Sequence, residues 1–319
     1  MKVLMISRDA GILEEGSDVQ KRMAEYGALA DELHIVVFAK QFTTHNIQPT
    51  TRKISSNVWV YPTNSRNKWF YIYDAYKITT GVFRNLKFEI RNSVITVQDP
   101  FETGIVGWLV ARKYHVPLQV QVHTDLFNPY FSRESAQNKV RVWMVKFLVP
   151  RASGIRVVSE RIRKSLVSCF KFHVSRIAVL PIFVDTEKIR SAPVKTDLRK
   201  KYPQFDFIAL MASRFTTEKN IPMAIDAMVD VVKKHPKAGL IIVGSGPEES
   251  KLRLLATRYS LLSNVIFEPW RDDLASYYKT ADVFVLSSKY EGYGRTPIEA
   301  EAAGCPVIMT DVGIAGDVI

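Results

Sequence analysis

The chain has 319 residues, 47% of them hydrophobic, a globular composition with room for two domains of ordinary size. No apolar run reaches the roughly 18 residues of a membrane-spanning helix; two cysteines, Cys169 and Cys305, make no disulfide framework, and six scattered histidines show no metal-ligand spacing. The net charge of +12 lies wholly in residues 1–190, with 28 Lys+Arg against 16 Asp+Glu, while residues 191–319 hold 16 of each.

Such a field favours an anionic partner: a phosphorylated acceptor, an acidic membrane face or nucleic acid. The N-terminus reads as a strand, Lys2–Ile6, and not as a signal peptide, which makes a reducing cytoplasm the default compartment. A polar loop follows to Gly16 and Ser17, where either residue suits a helix start and glycine permits close approach of a ligand. Val19, Met23, Tyr26 and Leu29 then recur at helical spacing before a strand, Leu33–Phe38. A third strand is expected over Asn57–Tyr61.

The next stretch interleaves Trp69, Phe70, Tyr71, Tyr73, Tyr76, Phe83 and Phe88 with Arg66, Lys68, Lys77, Arg84, Lys87 and Arg91. As a helix it either meets an anionic bilayer or packs Val82, Leu86 and Ile90 on the sheet with its basic face in water. Val94–Val97, Leu118–Val122 and Ile155–Val158 read as further strands. Each is followed by polar residues: Asp99 to Gly104, then His123, Thr124 and Asp125, then Ser159 and Glu160. These are strand C-termini, where open α/β sheets bind ligands.

Ile177–Leu180 and residues 181–189 lead out of a first domain, 1–189, and residues 190–204 read as a linker into a second, 190–319. That domain restarts with Phe207–Ala212, after which Arg214 and Lys219 stand where two cations can hold a diphosphate. Leu240–Val243 precedes Gly244-Ser245-Gly246, a partial fingerprint lacking the third glycine of a dinucleotide site. Val265–Phe267 is another strand; Pro269 and Trp270 after it either flank a base or pack.

The stretch Ala281–Thr310 shows the pattern most sharply. Val283–Leu286 is a buried strand, Pro297–Ala303 a helix with Pro297 in its first turn and Gly304 as its stop, and Pro306–Met309 a strand. Loop amides gather at the helix start, a site for an anion. Glu291 and Glu299, with seven residues between them, can each accept hydrogen bonds from sugar hydroxyls on either side of a phosphate.

The run E-G-Y-G-x-x-P-x-E-A-x-A-A-G-x-P-V resembles the signature of retaining GT-B glycosyltransferases, specifically glycosyltransferase family four. The R-x4-K pattern at Arg214 and Lys219, followed by Asn220, and the V-G-x-G-P turn at Gly244 are similar to the same family. Two departures stand out. Ile182 and Phe183 replace an Asn-Gly pair, and the first loop, which ends at Gly16, is not glycine-rich. The resemblance implies two facing Rossmann-like domains with the active cleft between them. It also implies that the chain stops, at residues 316–319, before the further helices with which family members continue.

By the same resemblance the activity is retaining, metal-independent transfer from a nucleotide-diphosphate sugar to a glycan or lipid-linked acceptor held by the basic domain. No cofactor is implied beyond that co-substrate. Arg214 and Lys219 would stabilise the departing diphosphate, Glu291 and His123 would hold the donor sugar, and Glu299 would hold the ribose. Gly292, Tyr293, Gly294, Arg295 and Thr296 would line the phosphates, with Gly16, Gly244, Pro269 and Trp270 also near the donor. The setting expected is cytoplasmic, peripheral on the inner membrane face. A nucleotide-sugar epimerase or sugar phosphorylase shares the architecture. A nicotinamide dehydrogenase lacks its glycine fingerprint here, and a nucleic-acid-binding protein would leave the acidic pair without a purpose.

Overall fold

A computed structural model describes residues 1–41, 50–85, 92–170 and 176–317. The described chain divides into two compact units. The first gathers residues 1–123, 136–157 and 166–180, and the second residues 124–135, 158–165 and 181–319.

The first unit is built on eight strands: β1 (Lys2–Ser7), β2 (Glu32–Val37), β3 (Arg52–Ser55), β4 (Val58–Pro62), β5 (Ser93–Val97), β6 (Leu118–Val122), β7 (Gly154–Val157) and β8 (Ile177–Val179). Their order is β3-β4-β2-β1-β5-β6-β7-β8. Only β3 runs antiparallel, as a hairpin on β4. That hairpin was not expected from the sequence, because Arg52-Lys53-Ile54-Ser55 lacks an apolar run. Helix α1 (Asp18–Gly27) returns from β1 to β2 and starts as expected, with Ser17 Oγ accepting from Gln20 N at 3.1 Å. Its Met23 joins Met5, Leu33, Ile35, Val58 and Val60 in one core.

Helices α2 (Tyr71–Asn85) and α3 (Glu102–Tyr114) carry the chain from β4 to β5 and on to β6. Right-handed crossovers in opposite directions put α1 and this pair on opposite faces of the sheet. Gly107 lets α3 lie close to the sheet, since a Cβ there would stand 2.4 Å from Val97 Cγ1. The aromatic stretch divides. Ala75, Thr79, Val82 and Phe83 are buried, while Trp69, Phe70 and Tyr73 are exposed. Leu86, Lys87, Phe88, Ile90 and Arg91 lie outside the described residues. After α4 (Pro129–Glu134) and α5 (Ala136–Leu148) the chain enters β7, and α6 (Glu160–Phe170) follows it.

The second unit carries a parallel sheet in the order β11-β10-β9-β12-β13, formed by β9 (Phe207–Ala212), β10 (Ala238–Val243), β11 (Val265–Glu268), β12 (Val283–Leu286) and β13 (Val307–Met309). Both its faces are buried, which is why its strands read as continuous apolar runs. Leu210, Ala212, Ile241 and Val243 point to one core, and Met211, Leu240 and Ile242 to the other. Residues 190–204 are not a bare linker. They include the end of α7 (Thr186–Ser191) and all of α8 (Leu198–Lys201). Leu198 is fully buried in the first of these cores, and Tyr202 packs against it. Helices α9 (Ile221–Lys234), α10 (Glu249–Arg258), α11 (Leu274–Thr280) and α12 (Arg295–Ala302) complete the unit. α12 therefore starts two residues before the expected Pro297. No helix among the described residues is long and apolar enough to cross a membrane.

Candidate active site

The direction of chain travel reverses at β9. From β9 the chain steps to β10 and β11 on one side, then returns to lay down β12 on the other. The loops after β9 and β12 therefore part, leaving the crevice in which open α/β sheets bind ligands. The first of these loops bears Arg214 and a 3-10 turn over Thr217–Lys219, ended by Asn220 in the left-handed conformation at φ 48°. The second runs from Ser287 to Gly294, whose φ of 94° needs glycine, and enters α12.

Three links join the loops. Lys219 Nζ donates to Glu291 Oε1 at 2.5 Å, Lys289 N donates to Glu218 O at 2.8 Å, and Ser287 Oγ lies 3.0 Å from the carbonyls of both Lys219 and Asn220. The Lys219 and Glu291 side chains are only 16% and 13% exposed. Ser288 Oγ also donates to Glu291 Oε1, at 2.8 Å. Among the described residues Glu291 Oε2 keeps no partner, so one carboxylate oxygen is held and the other is open to a hydroxyl.

Arg214 stands apart from this pair. Its side chain is 78% exposed, and its contact is Glu218 Oε1 at 3.5 Å. Glu299, on the first turns of α12, accepts from Tyr278 OH at 3.2 Å and Arg295 Nη2 at 3.1 Å. The α12 N-terminus has no side-chain cap, so its first amides are turned to the crevice end of the helix, an anion site by partial charge and free donors.

The residues between the two glutamates are held from behind. Gly292 O accepts from Ser159 Oγ at 2.9 Å, and buried Tyr293 accepts at its carbonyl from Ile314 N at 3.1 Å. Gly313 permits that approach, since a Cβ there would lie 2.4 Å from Tyr293 O. Arg161 ties down the same segment through Asp311, Gly313 O and Ala315 O. Thr296 is half-buried and Arg295 exposed. Ser159 lies after a strand end, the signal by which sequence reading reached it. Arg161 and Tyr278, on α6 and α11, carried no such signal.

Gly244 acts on Arg214's loop from below. At φ 150° its Cβ would fall 1.9 Å from Ser213 O, and Phe215 N donates to Ser245 O at 2.8 Å. Pro269 and Trp270 are exposed after β11. Just before them, Glu268 is buried and accepts from Lys201 Nζ (2.7 Å), Tyr202 OH (2.5 Å) and Tyr277 OH (2.8 Å). Burial opposes the charge on Glu268, but these donors outweigh it and hold its pKa below the usual carboxylate value. A cavity of 290 Å³ is walled by Tyr130, Arg133, Glu134, Glu218, Lys289 and Tyr290.

In the first unit the corresponding reversal falls between β1 and β5, where Ser7 Oγ donates to Gln98 Oε1 at 2.7 Å and Arg8 pairs with Glu102 at 3.0 Å. Gly16 lies in the loop after β1, exposed, with φ 73°. His123 follows β6, with Nε2 3.1 Å from Gln121 Oε1. Desolvation, then the charge of Arg156, push its pKa down to about 4. Asp125 is buried and accepts from Ser165 Oγ at 3.2 Å, and burial raises its pKa. The backbone amides of Phe127 and Asn128 also donate to its carboxylate.

Residues 194–319 match the model for glycosyl transferases group 1, and residues 25–188 match that for Glycosyltransferase Family 4. The alpha-monoglucosyldiacylglycerol synthase of Streptococcus pneumoniae is 31% identical over 227 residues, 67% of this chain and 51% of that protein. The chain thus spans about half the length of that relative. The sucrose-phosphate synthase of Thermosynechococcus elongatus superposes with a TM-score of 0.76 at 20% identity, covering 100% of this chain and 84% of that one. Anabaena HepE, solved with UDP and glucose, superposes at 0.71 with 19% identity, covering 100% and 83%. Those likenesses show the fold, two parallel-sheet Rossmann-like domains of the GT-B type. With more than half of its length matched by the family model, the chain belongs to glycosyltransferase family 4.

Proposed function

We propose that this chain carries retaining transfer of a sugar from a nucleotide-diphosphate sugar to a hydroxyl acceptor, with no resident cofactor. The observation that carries the reading is the Lys219–Glu291 pair at the β9/β12 crevice, beside an uncapped helix N-terminus. Lys219 and Arg214 stabilise the diphosphate as the bond from C1 to its oxygen breaks. The acceptor oxygen bonds to C1 on the same face, and its proton passes to the departing phosphate oxygen. Glu291 Oε2 and His123 take hydroxyls of the transferred sugar, and Glu299 takes the ribose. The backbone from Gly292 to Thr296 faces the phosphates, while Gly16, Gly244, Pro269 and Trp270 border the donor. UDP is the nucleotide to test first, since it is bound in HepE.

The acceptor is a glycan or lipid-linked glycan. The Streptococcus pneumoniae relative is named for a glucosyl lipid, which supports the lipid version. The cavity walled by Tyr130, Tyr290, Glu134 and Glu218 suits a hydroxyl-rich group. A cytoplasmic protein resting on an anionic membrane face accounts for Trp69 at 92% and Tyr73 at 63% exposure beside exposed Lys68 and Lys77. Nucleic acid is not the partner in this reading.

Titration with UDP tests the donor site. Glu299→Ala should weaken UDP binding by about tenfold or more through loss of charge-assisted hydrogen bonds. Equal UDP affinity in the variant and the parent would remove Glu299 from the site.

A further inference from the structure

A row of polar side chains crosses one face of the first unit's sheet, where neighbouring positions would ordinarily be apolar. Gln119, Gln121 and His123 alternate along β6 and just past it, so all three point to one face. Thr96 on β5 and Arg156 on β7 flank them. Arg156 Nη1 donates to Gln121 Oε1 at 3.2 Å. Gln121 Nε2 donates to Thr96 Oγ1 at 3.1 Å, and Thr96 Oγ1 in turn donates to Gln119 Oε1 at 2.8 Å. His123 Nε2 lies 3.1 Å from the same Gln121 Oε1 that receives Arg156.

The proton positions follow from what each group is able to do. A guanidinium only donates, so the atom facing Arg156 must be the amide oxygen of Gln121 and not its nitrogen. That orientation also points Gln121 Nε2 at Thr96. An amide oxygen only accepts, so the imidazole nitrogen facing it must carry a hydrogen. The neutral ring is therefore protonated at Nε2 and bare at Nδ1. Among the described residues Nδ1 has no hydrogen-bond partner. Desolvation of the ring, and after it the adjacent guanidinium, disfavour the imidazolium.

We infer that Gln121 and Arg156 are positioning residues that lock His123 in the neutral Nε2–H tautomer and present its Nδ1 as a hydrogen-bond acceptor for a hydroxyl of the transferred sugar. The sugar part rests on the function proposed above; the lock does not. His123 then binds by accepting, and supplies no proton to the leaving diphosphate. Gln121 is 8% exposed and touches no ligand in this scheme, so it acts only through His123.

Long-range ¹H–¹⁵N correlation of the histidine rings in the whole chain reads the tautomer directly. At pH 7 His123 should show Nε2 protonated and Nδ1 bare. An Nδ1–H ring or an even mixture overturns the lock. In Gln121→Leu the preference should collapse towards a mixture, with UDP affinity unchanged and turnover reduced about tenfold. Retention of the single Nε2–H form in that variant also overturns it. Gln121→Glu keeps the side-chain volume and guards against a folding failure. Its carboxylate should raise the His123 pKa and charge the ring nearer neutrality, and an unchanged titration would count against the contact. His123→Ala separates the two layers. Undiminished turnover there removes the sugar role, while the ring spectrum of the parent protein still decides the lock.

Discussion

Lys219→Met breaks the pair that defines the crevice, and its cost follows from the surroundings. With both side chains less than one-fifth exposed, Glu291 would lose its cation and keep only Ser288 as a donor at that oxygen. Breaking a fully buried pair costs about 3–5 kcal/mol, because an uncompensated charge remains. Partial access of water lowers the expectation to roughly 2–3 kcal/mol. Glu291→Gln removes the charge from the other side and keeps an acceptor. In a double-mutant cycle the two changes should therefore couple by about 1–3 kcal/mol, the double variant being less damaged than the sum. Urea unfolding of the four proteins, read with a common slope, measures this. Turnover with a UDP-sugar should fall roughly a hundredfold in Lys219→Met if the ammonium meets developing diphosphate charge. Arg214→Ala, at a 78% exposed side chain, should lose comparable turnover with stability changed by less than about 0.5 kcal/mol. Strict additivity in the cycle, with Lys219→Met as stable as the parent, would refute the reasoning about the pair.

Other outcomes follow from the same geometry. Gly244→Ala should destabilise the chain by about 3 kcal/mol or more, since its Cβ would meet Ser213 O at 1.9 Å and backbone must move. Gly81→Ala, on α2 with nothing within 4 Å, should instead stabilise by about 0.5–1 kcal/mol, and the contrast is read by thermal unfolding. His123 is harder to protonate when folded, with a pKa of about 4 against 6.5, but the residue is exposed, so solvent screening keeps the effect on stability small. Its contribution to stability is whole above pH 6.5 and is lost as the pH falls from there to about 4. His123→Gln should therefore lose less stability than the parent over that window, and parallel curves would refute the shift. Liposome co-sedimentation should need acidic lipid, weaken with salt, and drop in a variant with Lys68, Lys77 and Arg84 changed to Glu. Equal partition onto neutral and acidic vesicles would end the membrane reading.

By itself the sequence determined the βαβ alternation, the two sheets and the family signature from Glu291 to Val307, because these rest on local causes. Apolar runs such as Phe207–Ala212 have only one stable place, inside a sheet covered on both faces. The run from Glu291 to Glu299 couples a left-handed glycine at Gly294, a helix start and two carboxylates within one short stretch, so the motif was readable without a partner. What the tertiary structure decided were relations between distant residues. The strand order places β12 beside β9 and so brings Glu291 to Lys219, 72 positions earlier, leaving Arg214 in solvent although both cations share a loop. Leu198 looked like part of a charged connector, since a single apolar residue among lysines shows no period; only the core it enters makes it structural. The state of His123 was likewise beyond local reading, because it is set by a glutamine two residues before it whose orientation is imposed by an arginine on the next strand. Local sequence specifies which groups are available, and the sheet register specifies which of them meet.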